Sequence, residues 1–517
     1  MPPSLLPHLL EERLALHGHR LAIHDGNQGL NWQQVDHRCR CMAAGLRELG
    51  VKAGDRVAIW LDKGVEQSLA FLAVHLAGGI SVVVNEILHF SQVSHILTDC
   101  GITTLILDGK RLHQHGASLT PLGVQAALVL GETAQFLSGL PRLLQESSLS
   151  PWLGTITGIG EDPSHIIYTS GSTGLPKGIV VSHRNALDGA RIVSSYTGLG
   201  SDEVILGVLP LSFDYGLNQW LNALYTGSTY RIHRFLFPND LLSLMEKEKV
   251  TVLAGMPTLW SRLLDPSLTD WSRSWDLSSV RVVTNSGGRV PVAAVSRLVE
   301  RFSKARVYLM YGLTEAFRST YLPPEEIQQR PNSMGKAIPE VDIQVVREDG
   351  SPCDVGEVGE LIHRGALITM GYWNNPEKTA QVFRANPALG VTNSHLQRVV
   401  YSGDLVWRDA EGFLYYQGRR DQLIKTKGYR VSPEEVEALL TSLPGILAAA
   451  VIPCQLPQEE IGVRAFVRLS EGEDGSWIRR ACQQRAPFYL VPDSVVVVES
   501  FPLTANGKID RAQLASE

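Results

Sequence analysis

The stretch Tyr168-Thr-Ser-Gly-Ser-Thr-Gly-Leu-Pro-Lys-Gly178 packs glycines, hydroxyl side chains and one lysine into a turn directly after the strand-like Ile166-Ile167. Gly171 and Gly174 let backbone N–H groups approach an anion, Ser170, Ser172 and Thr173 add donors, and Lys177 supplies a point charge. The chemistry this suits is the wrapping of phosphate; the plainer alternative is a surface turn with a solvated lysine. A Walker A loop needs Gly-Lys-Ser/Thr opening a helix, whereas Lys177 lies between Pro176 and Gly178, so an ordinary P-loop ATPase is excluded.

These residues resemble the phosphate loop of the AMP-forming adenylate ligases, the superfamily of acyl-CoA synthetases, luciferases and nonribosomal peptide synthetase adenylation domains. The resemblance continues in order over residues 5–511. It implies that Thr169, Ser170, Gly171, Ser172, Thr173, Gly174 and Lys177 hold the phosphates of ATP. Tyr311-Gly-Leu-Thr-Glu315 resembles the second signature, which implies a Tyr311 ring on adenine between Met310 and Gly312, Thr314 at the α-phosphate and Glu315 at Mg²⁺. A carboxylate suits an oxygen-ligated ion that bridges phosphates. Asn285-Ser-Gly-Gly288 resembles the loop at the adenine edge and brings in Gly287 and Gly288. In Tyr401-Ser-Gly-Asp-Leu405, Asp404 falls where the family's aspartate accepts from both ribose hydroxyls, which suits an acceptor-only group.

The block Gly418-Arg-Arg-Asp-Gln-Leu-Ile-Lys-Thr-Lys-Gly-Tyr-Arg430 resembles the family's hinge motif. Arg419 is then implied at ribose or phosphate, Asp421 as the pivot, Arg430 at the phosphates and Lys427 facing the site in the second half-reaction. Pro502-Leu-Thr-Ala-Asn-Gly-Lys-Ile-Asp-Arg511 resembles the last motif, which makes Lys508 the main catalytic residue. Residues 311–339, including Arg330-Pro-Asn-Ser-Met-Gly-Lys-Ala-Ile-Pro339, resemble free-standing acyl-CoA ligases more than peptide-synthetase domains, and among them the ligases associated with exosortase gene clusters.

Pro210-Leu-Ser-Phe-Asp-Tyr-Gly216 carries the substrate-side marker. Amino-acid-activating relatives have Phe-Asp here, as in Phe213-Asp214, and many acyl-CoA synthetases an aromatic followed by His. A buried carboxylate needs a partner, and either a substrate ammonium or local backbone donors would serve Asp214. The ammonium reading favours an amino acid. Matched pocket positions put Tyr215, Asn218, Ala254, Val283, Met310, Arg318 and Ser319 around the substrate side chain; Arg318 either turns in to meet an acidic or polar group or turns out to solvent. Arg289, after Gly288, departs from the small or acidic residues common in the family.

These motifs must be held by an α/β scaffold. Short apolar runs at residues 57–61, 80–84, 104–107, 126–130, 204–209, 251–254, 281–284 and 307–310, with helix-like stretches between, predict strands in layered sheets covered on both faces. Closely spaced β-like pieces such as 341–346 and 360–363 predict a β subdomain at about residues 340–420. Ser432-Pro433-Glu434-Glu435 predicts a helix start with Ser432 as N-cap and Glu435 at the third position. The expected organisation is a large N-terminal domain, residues 1–420, and a small mobile α+β C-terminal domain, residues 421–517, hinged at Asp421.

With 517 residues, 44% of them hydrophobic and 19% charged, the chain has the composition of a globular protein. A net charge of −6 disfavours general nucleic-acid binding. The six scattered cysteines read as free thiols in a reducing compartment, and the N-terminus lacks a signal-peptide pattern, so the expected location is cytoplasmic. Residues 67–85 carry no Asp, Glu, Lys or Arg, yet Gly78-Gly79 divides them into a buried helix and a strand, so no membrane span is expected.

The combined reading is an AMP-forming acid–thiol ligase that uses ATP and Mg²⁺ to make an acyl-adenylate, with an amino acid favoured. With no phosphopantetheine site before Glu517, the acceptor thiol is expected in trans, on CoA or a separate carrier protein. Alternatives are a fatty or aryl acyl-CoA ligase, a luciferase-like oxidase, and a non-catalytic protein that keeps the fold, against which Lys508, Glu315 and Asp404 stand.

Overall fold

The apolar runs become strands at Arg56–Trp60, Ile80–Val83, Thr104–Asp108, Ala126–Leu130, Val204–Gly207, Val252–Gly255, Val282–Asn285 and Arg306–Leu313, each within a few residues of its expected place. The computed structural model describes residues 3–131, 140–146, 149–169, 176–389, 398–426, 429–456, 461–470 and 475–516, with the backbone alone at Leu389 and Arg430.

Two sheets dominate. In the first, Leu21–His24, Thr229–Ile232, Val204–Gly207, Val252–Gly255, Val282–Asn285 and Arg306–Leu313 run parallel in that spatial order. Beyond Arg306–Leu313 the pairing turns antiparallel through Ala316–Leu322 and Ser333–Ala337. Leu414–Arg419, Arg398–Arg408, Gly359–Gly365 and Val341–Val346 continue it, so the β-rich region shares this sheet. The second sheet has eight strands, ordered Gly371–Tyr372, Lys177–Ser182, Pro163–Thr169, Ile80–Val83, Arg56–Trp60, Thr104–Asp108, Ala126–Leu130 and Arg142–Gln145.

Helices Trp32–Glu48, Val65–Leu76, His183–Thr197 and Asp214–Thr226 contribute to one buried cluster with Val57 and Ile59 of the second sheet and Ile205, Val252 and Val282 of the first. They form the layer between the sheets. Val65–Leu76 is buried at every position except Glu66, which accounts for the uncharged stretch. Such a helix has no solvent face for a charge, and each of its large apolar side chains contributes about 1.5–3 kcal/mol by leaving water. No helix among the described residues is long and apolar enough to cross a membrane.

Near the C-terminus, strands Ile446–Gln455, Ile461–Leu469 and Ser494–Val497 form a three-stranded sheet, and an apolar cluster confined to residues 424–495 ties it to helices Pro433–Thr441 and Ile478–Arg485. Ser432 is the N-cap of Pro433–Thr441, but the expected pairing with Glu435 does not form. The Ser432 hydroxyl donates to Glu434 Oε2 at 2.8 Å, and Glu435 turns to accept from Gln417 at 3.4 Å. All six cysteines are free thiols.

Candidate active site

Parallel strands leave their loops at the carboxyl end of the sheet, where ligands of open α/β folds bind. Here the segments after Val204–Gly207, Val252–Gly255, Val282–Asn285 and Arg306–Leu313 open into one cavity of about 2010 Å³. Thr169, Lys177, Phe213, Asp214, Gly287, Gly288, Met310, Tyr311, Gly312, Thr314, Glu315, Arg318, Asp404, Arg419, Asp421 and Lys508 all line it. Ser170, Gly171, Ser172, Thr173, Gly174 and Lys427 lie outside the described residues, and Arg430 is described by its backbone alone, in strand Tyr429–Val431. Thr169 and Lys177 face each other across the paired strands Pro163–Thr169 and Lys177–Ser182, the two ends of the Gly/Ser/Thr loop.

Arg306–Leu313 and Ala316–Leu322 form a hairpin with Thr314 and Glu315 at its tip. Its register shifts between Tyr311 and Leu313, beside Gly312, where a Cβ would stand 2.5 Å from the Arg318 nitrogen. Only glycine allows that approach. The Tyr311 hydroxyl donates to Asp404 Oδ2, and its ring stacks on His363 at 6.0 Å. Asp404 is 4% exposed, and burial pushes its carboxyl up to about 6 against the opposing pull of Arg419, whose Nε is 3.7 Å away. Burial would lower the Arg419 guanidinium, but Asp404 and Asp421 outweigh it and hold it above its ordinary value.

Glu315 Oε1 accepts from the Tyr372 hydroxyl, and no cationic side chain pairs with it among the described residues. No group of three or more His, Cys, Asp or Glu there could hold a metal ion. The Glu315 carboxylate, held by Tyr372 and without a cationic partner, fits an ion whose other ligands are phosphate oxygens and water, as Mg²⁺ prefers. Across the cleft, Asn285 Nδ2 donates to the Gly288 carbonyl and its Oδ1 accepts from Trp260, which pins the Gly287-Gly288 turn. Arg289 donates to Asn332 at 2.7 Å, and burial lowers its pKa.

Lys508 sits on a turn closed by Thr504 N–H donating to the Lys508 carbonyl at 2.7 Å, and Asn85 Nδ2 seats that turn by donating to the Ala505 carbonyl at 2.8 Å. The Lys508 ammonium lies 5.8 Å from the centre of the Phe213 ring and has no ion-pair partner among the described residues. Phe213 is the N-cap of Asp214–Thr226, so Asp214 opens that helix, where the backbone dipole favours negative charge. Its Oδ1 accepts from Tyr215 N–H at 2.7 Å.

The expected substrate wall is corrected in five places. Asn218, 2% exposed, and Tyr215, 1% exposed, line a separate small pocket with Thr284 and not the main cavity. Val283 points to the far face of the sheet because the pleat alternates: Val282 and Thr284 face the small pocket and Val283 joins the core behind. Ala254 is covered by Leu209, Phe213, Tyr215 and Met256, and the Ser319 hydroxyl is turned to the Ala316 carbonyl. Arg318 turns inward and is 3% exposed. Sequence reasoning missed Tyr372 and Thr284, which carry no motif and reach the site only through folding, and it gave no role to Ser286 within the Asn285–Gly288 motif.

Residues 10–373 match the family model described as AMP-binding enzyme, and residues 435–508 its AMP-binding enzyme C-terminal domain. The chain is 30% identical to a feruloyl-CoA synthase of an Amycolatopsis species, over 97% of this chain and 96% of that one. It is 29% identical to an L-proline–[L-prolyl-carrier protein] ligase of Streptomyces coelicolor, over 95% and 92%. Two far longer relatives match 99% and 98% of this chain, which spans only 7% and 11% of them. The anthranilate CoA ligase AuaEII, solved with anthranoyl-AMP, superposes with a TM-score of 0.88 at 25% identity, covering 100% of this chain and 98% of that one.

Proposed function

From the premise that this chain belongs to the AMP-binding enzyme family, and so to the ATP-dependent AMP-forming acid ligases, we propose that it activates an amino acid and passes it to a phosphopantetheine thiol. The observation that carries the amino-acid reading is Asp214: a carboxylate at a cavity-lining helix start, with one backbone donor and no cationic partner among the described residues. A substrate ammonium supplies that partner.

In this reading a substrate carboxylate oxygen attacks the α-phosphorus of ATP, and the bond to the bridging oxygen breaks as pyrophosphate leaves with the electron pair. Lys508 meets the charge building on the carboxylate and α-phosphate, Thr314 donates to that phosphate, and Thr169, Lys177 and the Ser170–Gly174 loop hold the rest. Asp404 accepts from the ribose hydroxyls, Tyr311, Met310, Gly312, Gly287 and Gly288 bound the adenine, and Arg419 and Arg430 reach ribose and phosphate. Glu315 would hold Mg²⁺, which neutralises phosphate charge when bound. A turn of the small domain, residues 421–517, about Asp421 then withdraws Lys508 and brings up Lys427. The thiol sulfur attacks the acyl carbon, AMP leaves, and the thiol proton passes to solvent. Relatives of both acceptor kinds, CoA and carrier protein, support the thiol as acceptor class.

The test is ATP–pyrophosphate exchange without thiol, across amino acids and fatty and aryl acids. Exchange with an amino acid that Asp214→Ala lowers by about 30-fold or more, the cost of leaving the substrate ammonium unpaired in the cleft, is the expected result. Exchange with fatty or aryl acids alone would reject the amino-acid reading in favour of an acyl-CoA ligase.

A further inference from the structure

Arg318 presents a buried cation with a vacant fork. Its guanidinium lies 4.0 Å from the centre of the Tyr215 ring and 4.5 Å from that of Phe317, and Nη1 donates to Ser286 Oγ at 2.8 Å. Nε and Nη2 have no hydrogen-bond partner, and no carboxylate pairs with the residue among the described residues. These two nitrogens form one edge of the planar group, the edge whose parallel N–H bonds match the two oxygens of a carboxylate. The backbone is held at φ +50, a left-handed conformation that arginine rarely adopts, and Gly312 packs flush against it. Strain at a cavity-lining residue points to function rather than to folding economy.

Charge removed from water needs an opposite charge, and the aromatic faces supply only part of it. Arg318 lines both the main cavity and the small pocket behind it, so the residue borders the space in which an acid would be seated. We infer that Arg318 determines specificity, and that the acid activated carries a second anionic group, a carboxylate or its equivalent, paired with Nε and Nη2. This deepens the reading of the site as an acid-activating cleft; joined to the Asp214 reading, it makes the substrate an acidic amino acid.

Pyrophosphate exchange with matched acids separates the outcomes: aspartate against asparagine, glutamate against glutamine, and succinate against butyrate. Preference for the anionic member of each pair by about 30-fold or more in kcat/KM is expected. In Arg318→Met that preference collapses or inverts, and Arg318→Lys keeps part of it. Equal or better use of the neutral members by the unaltered enzyme overturns the inference, whether or not the variants fold, and leaves the ligase reading standing. Absence of exchange with every acid would overturn the ligase reading and this inference with it. Succinate used as well as aspartate would reject the Asp214 role alone.

Discussion

Asp404 shows how one buried side chain ties nucleotide binding to pH. An ordinary aspartate titrates near 3.8; here burial raises the group to about 6, so the folded protein holds the proton more tightly than the unfolded chain does. Its contribution to stability is complete below 3.8 and is lost as pH rises through about 6. Binding runs the other way, because accepting from both ribose hydroxyls calls for the ionised, acceptor-only carboxylate. The KM for ATP should rise as pH falls through about 6, approaching tenfold per unit well below it, and Asp404→Asn should give a uniformly high KM with that inflection removed. Steady-state kinetics from about pH 5 to about pH 8 read this; a flat profile in the unaltered enzyme would contradict the role.

At the scale of elements, the hairpin of Arg306–Leu313 and Ala316–Leu322 carries most of the site, and Gly312 makes it possible. A methyl group there meets the Arg318 backbone at 2.5–2.9 Å, and backbone cannot swing aside as a side chain can. Gly312→Ala should cost about 1–3 kcal/mol, read from urea midpoints at constant slope, and should also displace Arg318 and the Thr314-Glu315 tip. Unaltered stability would mean that the hairpin relaxes at little cost. The sequence showed that a strand runs through residues 307–310, because an apolar run is a local signal. It could not show the register shift at Gly312 or the side to which Arg318 turns, since both depend on the partner strand.

Across the whole molecule, polar contacts from separate elements fasten the C-terminal sheet over the cleft. Arg468 pairs with Asp265 at 3.1 Å and donates to the Ser261 carbonyl, and Asn85 holds the turn that carries Lys508. The Asp265 side chain is 6% exposed, so the pair is well shielded from screening. If Lys508 works from this docked position, the double replacement Arg468→Met with Asp265→Asn should slow pyrophosphate exchange about tenfold or more. Thioester formation from a supplied acyl-adenylate should fall much less, because that step follows undocking in the proposed scheme. Equal loss of both steps would reduce the pair to a structural contact.

By itself the sequence determined the α/β layering, the strand positions and the residue types gathered at the cleft, because apolar periodicity, glycine turns and motif spacing are properties of neighbouring residues. Most of the proposed nucleotide positions that are described line a single cavity. Only the tertiary structure decided which way side chains face. Pleat parity turned Val283 away from the small pocket and Thr284 toward it, and helix packing put Asn218 behind the cleft. The partnerships Tyr372 with Glu315 and Tyr311 with Asp404 join residues 57 and 93 positions apart. Local pattern carries no information about such pairs; they exist because two sheets and a hairpin converge where burial makes each unpaired polar group costly.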